Sequence, residues 1–174
     1  MSALTKTPAN MNMLSGFHAT LTVRRLPGVT FFLQNVNVPG ISLPSPTYNT
    51  PILDIPLPGD RIVYDDIMIN YKVDEDLTNY LEIHDWITAI GKKSYEEYDT
   101  IADKAQFTGE SVYSDLSLTV VNSNRNIKWE FQFHDAFPIS MSSLIFDVTK
   151  ESEDNYIEAA VTFKYTKFDV NRVA

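Results

Sequence analysis

The sequence predicts a mainly β protein, an antiparallel β-sandwich or barrel with one packed α-helix and a long extended loop. Several segments alternate apolar and polar residues with the period of two that is typical of half-buried strands. A single stretch has both the apolar face and the end signals of a helix, and a helix of this kind buries that face against a sheet. Six of the nine prolines lie between Pro39 and Pro58, which predicts the extended loop.

The composition indicates one soluble domain without thiol chemistry. The 174 residues are predicted to form a single domain with an N-terminal arm over residues 1–15 and a projecting proline-rich arm over residues 39–60. The absence of cysteine excludes disulfides and thiolate metal sites. Neither a signal peptide nor an apolar run of membrane-spanning length is apparent, so we expect a soluble protein without a membrane anchor, and the lack of cysteine fits cytoplasmic assembly.

The net charge of −9 argues against a protein that grips nucleic acid, because phosphate binding relies on clustered lysine and arginine. The 14 basic residues are instead scattered along the chain. By the same reasoning, a surface that must let DNA pass without sticking would carry this sign.

A hairpin is predicted at the start of the domain. Phe17, Ala19, Leu21 and Val23 alternate with polar residues, as in a half-buried strand. Pro27-Gly28 is a turn signal, and residues 29–38 are predicted to form the returning strand.

The segment from Pro39 to Pro58 cannot be a central strand, because each proline removes a backbone donor and holds the preceding residue extended. We interpret it as an extended loop or β-arm that projects from the body and contacts a partner. The alternative is a surface loop that lies on its own domain. The side chains expected to fill pockets of a neighbouring subunit are Leu43, Pro44, Tyr48, Ile52, Leu53 and Ile55.

A strand over Arg61 to Val73 and a helix over Asp74 to Ile90 are predicted next. The acidic triplet Asp74-Glu75-Asp76 favours a capped and dipole-stabilised start, and Gly91 marks the end. The helix face expected to pack on the core consists of Leu77, Tyr80, Leu81, Trp86 and Ile87. For residues 93–108 the sequence is equally compatible with a loop and with a short helix.

The second half of the chain is predicted to be all strand. Residues 116–120 and 127–134 alternate as the two arms of an antiparallel hairpin. Phe137-Pro138 is expected to break the second of these strands, and an acidic turn over residues 151–155 precedes a last long strand over residues 156–168.

No catalytic constellation is apparent. His18, His84 and His134 lie on three different predicted elements without a partner at metal-ligand spacing. The adjacent acids Asp65-Asp66 point to opposite faces of a strand, so they cannot act as a facing acid and base, and the same holds for Glu96-Glu97. Phosphate-binding and nucleophile motifs are missing as well. We expect a protein without enzymatic activity, metal or cofactor.

An ordered series of short motifs resembles the tail tube family of contractile-tailed bacteriophages. The series spans residues 15–168 and marks a structural family, not a reaction. It consists of a strand pair ending near residues 36–40, a proline-rich arm, Ile55-Pro56 to Gly59-Asp60-Arg61, Tyr64-Asp65-Asp66, a strand, a helix carrying Trp86, Phe137-Pro138-Ile139-Ser140, and an acidic turn before the final strand.

The resemblance implies a virion structural protein of the tail, whose partners are copies of itself, the tail sheath and the baseplate. Hexameric rings of such subunits stack into a tube that conducts DNA during ejection without binding it specifically. The alternative is a single-ring protein that completes, terminates or initiates the tube. Polar side chains expected to face the lumen are Asn70, Lys72, Lys128, Glu130, Gln132, Thr162 and Lys164.

Overall fold

A computed structural model describes residues 19–91, 112–122, 126–146 and 156–173. Within these residues the chain forms two helices, α1 (Pro27–Phe31) and α2 (Thr78–Ile90). The strands are β1 (Ala19–Val23), β2 (Leu33–Val36), β3 (Ile41–Ser42), β4 (Thr47–Asn49), β5 (Asp54–Pro56), β6 (Val63–Tyr64), β7 (Ile67–Lys72), β8 (Ser114–Val121), β9 (Ile127–Met141), β10 (Glu158–Lys164) and β11 (Lys167–Arg172). The predicted N-terminal arm, the undecided segment 93–108 and the acidic turn lie outside the described residues.

Two antiparallel sheets share the long strand β9. The first sheet has the strand order β11–β9–β8–β1, and the second has the order β9–β10–β7–β2. The apolar faces of both sheets enclose one core, to which Leu118, Phe133, Ile69 and Val161 contribute fully buried side chains. The predicted fold class, mainly antiparallel β with one main helix, is confirmed.

Strand β9 continues through Phe137-Pro138, so the predicted break is wrong. Its first part pairs with β8 and β11, and residues 137–141 pair with β10 alone. A proline is tolerated there because an edge strand does not need every backbone donor. The strand changes sheets next to Asp135, whose φ of 55° lies in the left-handed region and bends the chain as a bulge does.

The predicted hairpin at the start of the domain is also wrong. Strand β1 pairs with β8, and β2 pairs with β7, so the two strands lie in different sheets. Pro27 opens α1 between them, because proline lacks only a donor that the first helical turn does not use. The backbone N–H of Val23 donates to Oγ1 of Thr30 at 3.2 Å, which ties the end of β1 to this helix.

Both long strand predictions correspond to two strands in the structure. The stretch Arg61 to Val73 contains β6 and β7, separated at Asp65-Asp66. The predicted last strand contains β10 and the start of β11, and the chain passes from the second sheet to the first at residues 165 and 166. The predicted alternation is nevertheless correct, because Ile67, Ile69 and Tyr71, which it places on one face, are all buried.

Helix α2 begins at Thr78, four residues later than predicted, and its first turn contains no acidic residue. The residue before it, Leu77, has a φ of 57° and gives no side-chain cap. Buried Asn79 joins the helix to β7 instead: its Oδ1 accepts from Asp74 N at 3.2 Å, and its Nδ2 donates to Lys72 O at 2.9 Å. The predicted end at Gly91 is confirmed, with Gly91 N donating to Ile87 O at 3.0 Å.

The core-facing side of α2 is centred on Ile83 and Trp86, which are buried. Of the side chains predicted for this face, Leu77, Tyr80 and Ile87 are partly buried. The prediction for Leu81 is wrong, because this side chain is half exposed. At 100° per residue it lies on the far side of the helix from both Ile83 and Trp86. Within the described residues, neither helix has the length and apolarity that crossing a membrane requires.

Tyr71 has a buried hydroxyl for which the described residues provide no hydrogen-bond partner. Burial and the neighbouring Tyr80 raise the pKa of this phenol well above its usual range. We expect Tyr71→Phe to leave the free energy of unfolding unchanged or to raise it by up to about 1 kcal/mol, because the desolvation cost of the hydroxyl is removed. Urea denaturation measures this effect.

Tyr165→Phe is the matched control, because the hydroxyl of Tyr165 donates to the backbone oxygen of Asp65 at 2.9 Å. This variant is expected to lose about 1 kcal/mol. A loss for Tyr71→Phe as large as that of the control would mean that the Tyr71 hydroxyl has a partner.

Candidate assembly surface

The proline-rich segment folds into an arm, residues 41–64, built from two short antiparallel ladders. Strand β3 pairs with β6 at its base, and β4 pairs with β5 near its tip. Between the ladders the N–H of Leu57 donates to Pro46 O at 2.8 Å. The prolines therefore interrupt pairing without preventing it, as expected where strands lack further neighbours.

The arm is apolar on its surface. All six side chains predicted to contact a neighbouring subunit are exposed, and Ile52 is 96% exposed. Soluble monomers rarely leave so many large apolar side chains in water on one element, and such surfaces mark contact sites. Exposed aliphatic and aromatic side chains of the arm are Ile41, Leu43, Tyr48, Ile52, Leu53, Ile55, Leu57, Ile62 and Val63.

An aromatic cluster fixes the base of the arm to the core. The ring of Tyr64 lies 5.9 Å from that of Tyr165 and 5.6 Å from that of Phe168. Burial and the nearby carboxylate of Asp65 raise the pKa of Tyr165 to about 12, and its hydroxyl donates to Asp65 O at 2.9 Å. These contacts attach the base of the arm to the body.

A close approach of backbone also shapes the arm. A Cβ on Gly59 would lie 2.0 Å from the carbonyl oxygen of Pro44. Only glycine permits the two sides of the arm to come so close at this level.

The face of the first sheet that is turned away from the core is polar. On it, Ser117 donates to Glu130, and Asn171 Nδ2 donates to Gln132 Oε1 at 3.2 Å. Asp169 Oδ2 lies 3.0 Å from His134 Nε2 and 3.1 Å from Lys167 Nζ. A shallow cavity of about 290 Å³ opens on this face and is lined by Thr22, Arg24, Asp115, Leu116, Ser117, Gln132, Phe133 and His134.

The predicted lumen residues fall on two separate faces. Glu130 and Gln132 belong to the polar face of the first sheet, and Lys128 lies beside them at an irregularity in the pairing of β8 with β9. The others lie on the outer face of the second sheet, across the core from the first group. This second group consists of Asn70, Lys72, Thr162 and Lys164.

Residues on β11 were absent from the predicted set. Lys167, Asp169 and Asn171 alternate with Phe168 and Val170, so the pattern of a strand is visible in the sequence. A single predicted strand over residues 156–168 ends before Asp169 and Asn171, and its alternation places Lys167 on the apolar side with Phe163 and Tyr165.

Lys167 lowers the pKa of the Asp169 carboxyl. Its hydrogen bond to the carboxylate, together with that from His134, holds the pKa of Asp169 below its usual range. We expect Lys167→Ala to raise this pKa, because the ammonium group stabilises the ionised form. NMR titration of the Asp169 carboxyl carbon measures the shift. Lys164→Ala is the control, since Lys164 lies on the other sheet, and an equal shift in both variants would contradict the assignment.

The described part of the chain contains no group of three or more His, Asp and Glu side chains that is arranged to hold a metal ion. His84 is exposed beside Asp85, and His134 faces Asp169. His18 lies outside the described residues.

A comparison with protein families matches residues 11–171 to the family described as phage tail tube protein. The chain belongs to the phage tail tube protein family. A family member of this kind is a structural component of a virion tail, not an enzyme. Among individual relatives, the tail tube terminator protein of Enterobacteria phage T4 is 27% identical over 147 residues, covering 82% of this chain and 78% of that protein.

Solved structures show that the fold is shared more widely with contractile injection systems. A protein from the PVC sheath–tube complex in its extended state superimposes with a TM-score of 0.64 at 16% identity, covering 94% of each chain. The tube-terminating cap of the anti-feeding prophage gives a TM-score of 0.61 at 14% identity, covering 99% of this chain and 100% of that one. At these identities the likeness is one of fold.

Proposed function

We propose that this tail tube family protein forms a single ring at the end of a tube, as a tail tube terminator. The observation that carries the proposal is the sequence similarity to the T4 terminator along most of both chains. The sequence by itself favoured a repeated subunit of stacked rings, with a terminator or initiator as the alternative. The similarity to the T4 terminator favours a terminator over a repeated tube subunit.

Ring closure uses the two open edges of the first sheet. Among the described residues, β1 pairs only with β8, and β11 pairs only with β9. The two edges lie on opposite sides of the same sheet, so the β11 edge of one subunit pairs with the β1 edge of the next. A head-to-tail contact of this kind closes into a ring when the rotation between subunits permits it. Six subunits are expected from the family resemblance.

The polar face of the first sheet lines the channel of this ring. Its carboxylates and ammonium groups form contacts with one another, and the chain as a whole carries a net charge of −9. A lining of this kind gives DNA phosphates no unpaired cluster of cations, so DNA slides through without being held. In this arrangement Glu130, Gln132, Lys167, Asp169 and Asn171 face the lumen.

The apolar arm provides the second contact. It leaves the body at Tyr64, whose ring contacts Phe168 of the edge strand β11, and reaches an adjacent subunit of the same ring. Burial of its exposed side chains in pockets of the partner stabilises the assembly. Sheath and baseplate proteins are further partners expected for a tail component.

Electron microscopy of the purified protein in negative stain tests the proposal. Single rings of uniform diameter, not tubes, are expected even as the protein concentration is raised. Long tubes formed by the protein alone would identify a repeated tube subunit, and monomers alone would contradict both assignments. Mass spectrometry of purified virions supplies an independent measurement, because a terminator is present at one ring per tail.

A further inference from the structure

The polar face of the first sheet carries charged side chains at both of its open edges. Arg24 directly follows β1, is exposed, and lines the cavity on this face together with Gln132 and His134. Lys167 and Asp169 lie on the same face of the opposite edge strand, β11, and the Asp169 side chain is 47% exposed. Each subunit therefore carries a guanidinium at one edge and a carboxylate at the other.

Backbone pairing at the β1 edge cannot extend to Val23, because both backbone groups of this residue are used within the subunit. Its N–H donates to Thr30 Oγ1 at 3.2 Å, and its carbonyl oxygen accepts from Leu26 N at 3.0 Å. In a ring that closes through β1 and β11, side chains must therefore hold this end of the seam. Arg24 is the next residue along the chain and lies at that end.

The pairing register shows which side chains meet across the seam. Each successive pair of strands in the first sheet is antiparallel, so β11 of one subunit also runs antiparallel to β1 of the next. Thr22 and Asp169 lie at the two ends of one row that crosses all four strands. If this row continued straight into the next subunit, Asp169 would lie opposite Thr22, and Lys167 would lie opposite Arg24.

A stagger of two residues is favoured over a straight row for two reasons. Like charges directly opposite each other destabilise a strand pair, which disfavours Lys167 opposite Arg24. A sheet that closes on itself also tilts its strands and staggers their register. A stagger of two keeps the polar face continuous and places Asp169 opposite Arg24. The same stagger in the other direction would carry Arg24 beyond Lys167, the first residue of β11.

We propose that Arg24 of one subunit forms an ion pair with Asp169 of the next subunit at every seam of the ring. This pair rests on the ring closure of the proposed function, and it is the contact that selects β11 as the partner of β1. A guanidinium has five donors in a fork, so Arg24 can bind this carboxylate in addition to groups of its own subunit. Within the described residues, the contacts of Asp169 with His134 and Lys167 both involve Oδ2, and the guanidinium is expected at Oδ1.

Charge reversal on each side of the seam tests the pair. Arg24→Asp brings two carboxylates together at the seam, and Asp169→Arg brings two guanidinium groups together. Like charges at an interface are expected to raise the protein concentration needed for rings by about a hundredfold or more. Neither variant should show rings in negative stain at a concentration where the unaltered protein forms them. Lys164→Asp, which reverses a charge on the second sheet, is the matched control and should form rings.

Mixing the two variants distinguishes a contact between subunits from a contact within one subunit. When the variants alternate around a ring with an even number of subunits, every seam joins one carboxylate and one guanidinium. An equimolar mixture is therefore expected to form rings although neither variant does so alone. Native mass spectrometry of the mixture should show equal numbers of the two variants in each ring.

The outcomes separate this proposal from the proposed function. If the unaltered protein forms no rings, the proposed function fails and the ion pair fails with it. If the unaltered protein forms rings, normal rings from either variant alone would overturn the ion pair only, and so would a mixture that remains without rings. Circular dichroism and urea denaturation establish that both variants are folded.

Neutral substitutions supply a second measurement that does not depend on reversed charges. Arg24→Gln and Asp169→Asn are each expected to weaken ring formation about two- to fivefold, the range for an exposed ion pair. The two together should weaken it no more than either alone, because each removes the same interaction. Additive losses, or no loss in either variant, would contradict the pair.

Discussion

Removal of the arm tip is expected to abolish assembly while leaving a folded subunit. Replacing residues 45–57 by two glycines deletes β4 and β5 but keeps the β3–β6 ladder and the aromatic anchor of Tyr64. None of the deleted side chains contributes to the buried core. Circular dichroism and urea denaturation should match those of the full chain, and electron microscopy should show no rings.

Point substitutions at the arm tip show how much the arm is expected to contribute to the affinity of the contact. Tyr48, Ile52 and Leu53 are exposed at the arm tip, and replacing all three by serine removes roughly 5 kcal/mol of apolar burial from a contact that buries them. Each 1.4 kcal/mol is a tenfold change in affinity, so the contact weakens by about three orders of magnitude.

Ile145→Ser is the matched control for the arm, because Ile145 is 77% exposed and lies after β9, outside the arm. It should leave assembly intact. Normal rings from the triple arm variant would show that the arm does not carry the contact.

Trp86→Ala is expected to destabilise the subunit by about 3–5 kcal/mol, the largest effect of any single substitution considered for the fold. The indole is buried, lies 5.9 Å from the ring of Phe163, and has the Arg25 guanidinium 4.9 Å above it. Its Nε1 also donates to Val112 O at 3.0 Å, so truncation leaves a cavity and an unpaired carbonyl. Urea denaturation followed by circular dichroism measures the loss.

Leu81→Ala provides the comparison on the same helix. The side chain is half exposed, so its removal is expected to cost less than 1 kcal/mol. Similar losses for the two variants would mean that α2 does not pack through Trp86.

The alternation of apolar residues was sufficient to predict most strands and their buried faces. Leu118, Phe133, Ile69 and Val161 all occupy core positions that a period of two assigns to them. The helix end at Gly91 and the exposed character of the arm were likewise visible in local sequence. These features depend on residues close together in the chain.

The sequence does not show which strands pair with each other, because pairing between strands that are distant in the chain leaves no local sequence signal. Pro27-Gly28 has the composition of a hairpin turn, yet tertiary contacts direct β1 to β8 and β2 to β7. Pro138 has the composition of a strand breaker, yet it is accommodated where β9 has one neighbour only. The acidic triplet Asp74-Glu75-Asp76 predicts a helix start at Asp74, but the helix begins at Thr78. The two hydrogen bonds of Asn79 hold Asp74 and Lys72 at the end of β7 instead.

The arm could be predicted from the sequence, but the lumen-facing set could not, because only the arm is a local feature of the chain. The six arm residues lie close together in the sequence and all belong to the arm, so they remain together in the structure. The lumen set combined polar residues from strands whose sheets were unknown, and the structure divides them between two faces.

The first and last described strands, β1 and β11, are the two open edges of one sheet. In the proposed ring these edges form the contacts between neighbouring subunits, so a bulky label attached to β1 or β11 would compete with ring closure. Labels for imaging this protein belong on the outer face of the second sheet, at positions such as Lys164.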